Sequence, residues 1–266
     1  MHISYKSFPF VLALSLSVVS FNAWSLTSSL TNSSYVSQTK SSIRDLSKTG
    51  DIRAQYLMAR KYRDGDGVAK NLPKALEMMT SLAKQGFAAA QIDLGHMYAN
   101  GISIKKNFKL AAKWFKGAAD QGYASAQFNI ANLYRNGLGV EKDLALAHKY
   151  YEKAANNGFA KAQFNLALMY NFALGVDKDL EKVAYWYEKA AEKGFHQAQY
   201  FLGKMYVEGS GVNKDLQQAY VWLSKASRGG VTDAKEMIQE IKPLLSAAAQ
   251  PVRKPVKVNN GLAFDR

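Results

Sequence analysis

The dipeptide Ala-Gln stands at residues 54, 90, 126, 162 and 198, and Ala234 continues the series, so the chain repeats itself every 36 residues without an insertion. A period in the range of roughly 20 to 50 residues is the mark of a solenoid or an array. Other positions keep the same step. Tyr recurs at 62, 98, 134, 170 and 206; Val or Ile at 68, 104, 140, 176 and 212; Lys followed by Asn or Asp at 70, 106, 142, 178 and 214; and Gly at 86, 122, 158, 194 and 230. One such copy is too short to bury its own apolar face, so the copies must stack in line and share a core.

Each copy reads as two helices. Ala54, Met58 and Tyr62 fall on one face at helical spacing, as do Ala75, Met79 and Leu82 further on. A Gly-x-Gly-Val turn lies between them. Asn71, Asn107, Asp143, Asp179 and Asp215 are placed to cap the second helix, because a short side-chain acceptor can take one of the amides that a helix start leaves unpaired. Pro73 sits in the first turn, where its missing N–H costs little, and Gly86 with its equivalents ends the helix in the left-handed conformation. Ala54, Ala75 and Ala83 let helices approach closely, while Tyr62, Trp114, Trp186 and Trp222 fill the gaps. The expected class is all-α.

The N-terminus has a different character. His2 and Lys6 precede an apolar run from Phe8 to Val19 and then Ala23-Trp24-Ser25, the tripartite form of a secretory signal peptide cleaved after Ser25. The run is shorter than an ordinary membrane span; the rival reading is an uncleaved N-terminal anchor. Both take the repeats to the periplasm or the exterior, where nucleic acid is not the expected ligand even at a net charge of +14. That charge is concentrated in the front half and the tail, and favours an acidic or amphipathic protein or peptide, or an anionic envelope surface. The chain has no cysteine, which excludes disulfides, thiolate metal sites and thiol catalysis.

The repeat resembles the Sel1-like repeat family, relatives of the tetratricopeptide repeats. Ala198-Gln199-Tyr200-Phe201-Leu202-Gly203-Lys204-Met205-Tyr206 followed by Gly209-Ser210-Gly211-Val212-Asn213-Lys214-Asp215 is similar to that family's pattern throughout. The resemblance implies a right-handed α-solenoid of helix-turn-helix repeats, exported in Gram-negative bacteria, that binds protein as a monomeric scaffold and is not an enzyme. It implies five repeats, at 54–89, 90–125, 126–161, 162–197 and 198–233. A signal peptide at 1–25, a linker at 26–38, an N-terminal capping half-repeat at 39–53, a C-terminal capping helix at 234–246 and a basic flexible tail at 247–266 complete the expected layout. Two departures stand out: Ala173 replaces the first turn Gly of the fourth copy, and Ser103 the second turn Gly of the second. If Ala173 takes a positive φ, the cost is about 1 kcal/mol, which predicts an altered turn rather than a missing repeat.

Chemical motifs compete with the repeat and lose. Asp64-Gly65-Asp66-Gly67 hints at a calcium loop, but Val68 and Lys70 stand where ligands are needed. Ser81-Leu82-Ala83-Lys84 has the Ser-x-x-Lys spacing of penicillin-recognising enzymes without the partner motifs. Cysteine-rich members of the family have been linked to penicillin binding, so weak binding or hydrolysis of peptidoglycan or β-lactams is the alternative function. His96, His148 and His196 occupy different slots and lack zinc spacing. No catalytic residue, metal or cofactor is expected.

The tetratricopeptide geometry, carried over, places the positions two, six, nine and ten after each leading Ala in an extended concave groove. In the first copy these are Tyr56, Arg60, Arg63 and Asp64; in the second Ile92, His96, Ala99 and Asn100. The third supplies Phe128, Asn132, Arg135 and Asn136, the fourth Phe164, Leu168, Asn171 and Phe172, the fifth Tyr200, Lys204, Val207 and Glu208. These slots vary between copies more than the packing slots do, as a ligand-facing surface would. The competing role for the aromatic residues at position two is packing between copies.

Overall fold

The computed structural model describes residues 40–102 and 104–248, so Ser103, the signal-peptide segment, the linker and the basic tail beyond Ala248 lie outside the described residues. All regular structure among the described residues is helical. The described residues separate into two compact bodies, divided between Met58 and Ala59. The first contains α1 (Lys40–Lys48) and the start of α2 (Ile52–Asp64). There the Asp51 carboxylate accepts from the Ala54 amide at 2.8 Å and so caps α2, and the Gln55 amide donates to the Ser47 carbonyl at 3.3 Å.

The second body is a stack of helical hairpins. After the end of α2 come α3 (Leu72–Lys84), α4 (Ala88–Asn100), α5 (Phe108–Asp120), α6 (Ala124–Asn136), α7 (Leu144–Asn156), α8 (Ala160–Asn171), α9 (Leu180–Glu192), α10 (His196–Glu208), α11 (Leu216–Arg228) and α12 (Thr232–Ala248). From α3 onward every helix packs on the next in sequence. The even-numbered helices α2 to α10 are the first, or A, helices of their repeats, and α3 to α11 the second, or B, helices. One core runs from Ala88 to Met205 through repeats two to five, with Ile130, Tyr151, Leu166, Met169 and Leu202 almost wholly enclosed. Each such side chain contributes roughly 2 kcal/mol by leaving water. Ala219, Leu223, Ala226, Ala234 and Ile241 form a second cluster that closes the end, with Lys235, Glu236, Glu240 and Lys242 of α12 facing water.

The turn between A and B is built the same way each time. The cap side chains of Asn71, Asn107, Asp143, Asp179 and Asp215 accept amides of the first B-helix turn at 2.8–3.0 Å. The backbone N–H of each cap donates to the carbonyl of the recurrent Tyr, at 2.8 Å for Asn71 to Tyr62 and 3.0 Å for Asp143 to Tyr134. The second turn glycine has a role beyond breaking the helix. A Cβ on Gly139 would overlap the Phe108 carbonyl, and one on Gly211 the Leu180 carbonyl, so this turn rests directly on the B-helix start of the preceding repeat. Ala173 does take a positive φ, of 52°, and α8 ends one residue early with Phe172 as its cap. The Leu174 N–H still donates to the Met169 carbonyl at 2.9 Å, so the turn is altered but the repeat is intact.

Candidate functional site

Residues of an A helix that lie at zero, one, four, five and eight after its leading Ala share the side turned to the B layer. In α6 these are Ala126, Gln127, Ile130 and Ala131, all buried, with Tyr134 stacked on Tyr150 at 6.0 Å between ring centroids. The opposite side is centred on positions six and ten and flanked by two, nine and three. Most of the slots named from the tetratricopeptide geometry therefore sit on the free side of the A layer, but they do different work.

At position two, Phe128 lies 5.8 Å from Tyr151 and 5.2 Å from Phe159, and Phe164 lies 5.5 Å from Tyr187 and 4.9 Å from Phe195. Both are half-buried and pack on the B helix and the closing residue of their own repeat, and Phe164 also lies 6.0 Å from Phe201 of the next; Ile92 is half-buried against the same core. Tyr200 packs edge-on against Phe201 at 5.2 Å. Tyr56 is half-buried in the first body.

Positions six, nine and ten carry the polar groups. The Arg63 guanidinium binds Asp64 at 2.8 Å and Asp93 of the next repeat at 3.1 Å. With Arg60 nearby it holds the Asp64 carboxyl below the usual range, chiefly through the hydrogen bond from Arg63. His96 accepts from the Asn129 amide at 3.2 Å and meets Phe115 edge-on, and burial, opposed by Asp93, lowers its pKa. Asn132 accepts from the Tyr151 hydroxyl at 2.6 Å, and the same hydroxyl is hydrogen-bonded to Asn165; burial pushes Tyr151 up to about 12. Arg135 lies 5.9 Å from the Tyr151 ring. Asn100, Asn136 and Glu208 are exposed, Ala99, Leu168, Asn171 and Val207 half-exposed, and Lys204 reaches Glu208 at 3.7 Å. Phe172 is 64% exposed, the most open large apolar side chain among the described residues.

A slot outside the original set completes this surface. Position three holds Asp93, Asn129 and Asn165, and each meets a group from the repeat before it: Arg63, His96, and Tyr151 beside Asn132. The free side thus has a polar rung at each of the first three repeat junctions, and at the fourth the same slot is Phe201, 6.0 Å from Phe164. Its character changes along the stack. The rung is ionic at Arg63 and Asp93, amide-based through Asn129, Asn132 and Asn165, and apolar at Leu168, Phe172 and Phe201.

The chemical motifs stay apart from this surface or are already engaged. Asp64 is bound by Arg63 and Asp66 by Lys61 at 2.9 Å, so the carboxylates of the calcium-like turn are paired with cations. Ser81 is exposed and its hydroxyl accepts from Gln85 at 3.4 Å, while Lys84 points to solvent. His148 contacts Tyr170 of the next repeat at 3.1 Å, and His196 contacts Gln199 within the same helix at 3.1 Å. Among the described residues no group of three or more His, Asp or Glu could hold a metal, and no helix is long and apolar enough to cross a membrane.

Helical hairpins stacked in sequence order, with a constant core and a variable outer side, define an α-solenoid repeat protein. Residues 52–87, 88–123, 124–159, 160–195 and 196–231 each match the Sel1 repeat, and the chain belongs to that family. It is similar, at 30% identity and a TM-score of 0.71, to a Sel1 repeat protein from Oxalobacter formigenes, with 86% of this chain and 98% of that one covered. It is also similar, at 32% identity and a TM-score of 0.75, to a protective antigen with an SLR fold present in uropathogenic Escherichia coli strains. That match covers 79% of this chain, which spans only 45% of the Escherichia coli protein. No curated protein matches. Sel1 repeat proteins generally mediate protein–protein interaction.

Proposed function

We propose that this protein is an exported, non-enzymatic scaffold that holds an extended, amphipathic protein segment along the concave side formed by its A helices. The observation that carries this reading is the graded A-layer surface: ionic at Arg63 and Asp93, carboxamide-rich through Asn129, Asn132, Asn136 and Asn165, and apolar at Leu168 and Phe172. The exposed Asn136 carboxamide offers a donor and an acceptor together, as an extended peptide backbone needs, while Asn132, bonded to Tyr151 and to the Phe128 carbonyl, stiffens the same face. Arg135 forms no ion pair among the described residues and remains available to a carboxylate. The partner would then lie with acidic side chains against repeats one to three and an apolar anchor over Phe172. Export is supported by the N-terminal pattern of charge, apolar run and Ala23-Trp24-Ser25, and it is in keeping with the resemblance to a protein described as a protective antigen.

Capture of a partner by the chain from Leu26 onward, followed by affinity measurement with variants, tests the reading. Charge reversal of Arg60, Arg63 and Arg135 together is expected to weaken binding at least about tenfold, and Phe172→Asp to weaken it separately. Intact affinity in both variants would falsify the assignment of the partner to this side. An alkaline phosphatase fusion at residue 40 that stays in the cytoplasm and inactive would remove export.

A further inference from the structure

A second surface, on the B helices, has a composition that the scaffold does not require. A cleft of about 470 Å³ opens where α5 meets the turn of the following repeat. Leu110, Ala112, Ile130, Tyr134 and Val140 line it with apolar groups, and Lys109, Lys113 and Lys116 stand at its edge. No carboxylate lines it. Asp120 is engaged by Lys116 at 2.7 Å, and Lys113 lies 5.2 Å from the Trp114 ring, which leaves its ammonium group open to solvent. The run from Lys105 to Lys116 contains five lysines and no acidic residue.

The equivalent positions in the other repeats show that packing does not demand this. Where repeat two has Lys109, Lys113 and Lys116, repeat one has Pro73, Glu77 and Thr80, and repeat three Ala145, Lys149 and Glu152. Repeat four has Glu181, Tyr185 and Glu188, and repeat five Gln217, Val221 and Ser224. A neighbouring hollow of about 320 Å³, lined by Lys84, Gln91, Lys113, Trp114 and Gly117, extends the basic edge on the other side of Lys113. It is open because Gly117 has no side chain where repeats three to five carry Lys153, Lys189 and Lys225.

We propose that this cleft is a second docking site, taking a short acidic peptide segment whose bulky apolar side chain enters the floor while flanking carboxylates pair with Lys109 and Lys113. Charge complementarity selects the occupant. A second copy of this chain, at a net charge of +14, is repelled, and a bare anionic surface has no use for an apolar floor. The site is independent of the partner proposed for the A-helix side.

The test uses the full chain from Leu26 and a fluorescein-labelled peptide of about ten residues in which Leu-Phe is flanked by Glu and Asp on both sides, read by anisotropy. Lys109→Glu/Lys113→Glu is expected to weaken binding about tenfold or more, and replacing Leu-Phe by Gly-Gly in the peptide to weaken it comparably. Lys235→Glu/Lys242→Glu, an equal change of charge at exposed positions of α12 outside both proposed sites, is expected to leave binding unchanged. Both lysines are exposed, so the variants should melt at the parental temperature. Absence of peptide binding overturns the proposal, as does binding that ignores the lysines or the apolar pair. Binding that weakens equally with Lys235 and Lys242 reversed follows net charge alone and also overturns it. So does capture of phosphatidylglycerol vesicles, but not peptide, through Lys109 and Lys113.

Discussion

Repeats three and four are built on the same plan, and two of the slots at which they differ, 137/173 and 157/193, each change a polar interaction. In repeat three, Gly137 takes the left-handed turn position at a φ of 67°, α6 runs its full 13 residues, and the cap N–H of Asp143 reaches Tyr134 at 3.0 Å. In repeat four, Ala173 occupies that position at a φ of 52°, α8 has 12 residues, and the matching bond from Asp179 to Tyr170 lengthens to 3.4 Å. The buried glutamines tell a similar story. Gln127 donates to the Ala119 carbonyl and accepts from Asn157 at 3.2 Å, whereas Gln163 donates to the Ala155 carbonyl but its Oε1 has no partner, because Lys193 replaces the amide residue. Repeat four has lost one polar interaction and lengthened another, while Ala162, Leu166, Ala167 and Met169 stay buried. Its turn is also where Phe172 comes into the open. Apolar stacking is therefore enough to hold a repeat in line, while the turn and the glutamine rung adjust its stability.

The sharpest way to break the comparison is at the turn position that both repeats share as Gly. Gly139→Ala is expected to lower unfolding stability by about 3 kcal/mol, since it combines a left-handed residue with overlap on the Phe108 carbonyl; urea melts followed by Trp fluorescence check it, and a loss under about 1 kcal/mol would contradict the close approach described here. The first turn glycine should cost less. Gly137→Ala turns repeat three into a copy of repeat four and should lose about 1 kcal/mol, and Ala173→Gly should recover about the same. Equal midpoints for the two variants and the parent would show that the left-handed turn stores no strain. Smaller again, Lys193→Asn supplies the missing donor to Gln163 and should add about 0.5–1 kcal/mol, whereas Asn157→Lys in repeat three should remove a similar amount.

The least of these effects is on pH dependence. Burial is the main cause that lowers His96 in repeat two and His148 in repeat three, so both are neutral in the fold below the pH at which the unfolded chain takes up a proton. Stability is therefore full above the ordinary histidine value of about 6.5 and is lost as pH falls through the lowered folded values. Repeat four has no histidine in its helices and adds nothing to this slope. His96→Gln should flatten the decline in melting temperature between neutral and mildly acid pH; an unchanged decline would exclude His96 as a source.

The helices, caps and turns were legible because they depend on residues a few places apart. Asn71 and its equivalents could be named as caps from one short side chain before an apolar run, and Ala173 as a strained position from the glycines in the same slot elsewhere. Position three of the A helix was not legible in this way. Asp93, Asn129 and Asn165 look like ordinary surface residues until the offset between stacked helices brings them against Arg63, His96 and Tyr151. Phe128 and Phe164 carry the same lesson. Their spacing puts them on the free side of the A layer, but only the distance to Phe159 and Phe195 reveals that they are packed against the closing end of their own hairpin. A slot's conservation across all repeats signals packing, and its variation is ambiguous between a ligand and a neighbour.

The bond between each cap amide and the Tyr carbonyl nine residues earlier sets a ruler for the whole chain. Every hairpin ends in a Gly followed by an aromatic or aliphatic residue and begins again at a small helix-starting segment, so excision of 124–159 would splice Gly122-Tyr123 onto Ala160, a seam chemically like the natural Gly158-Phe159-Ala160. Lengthening or shortening such a molecule by one full period needs no redesign of its interior, whereas a slip of even one residue would point every capping group at the wrong carbonyl.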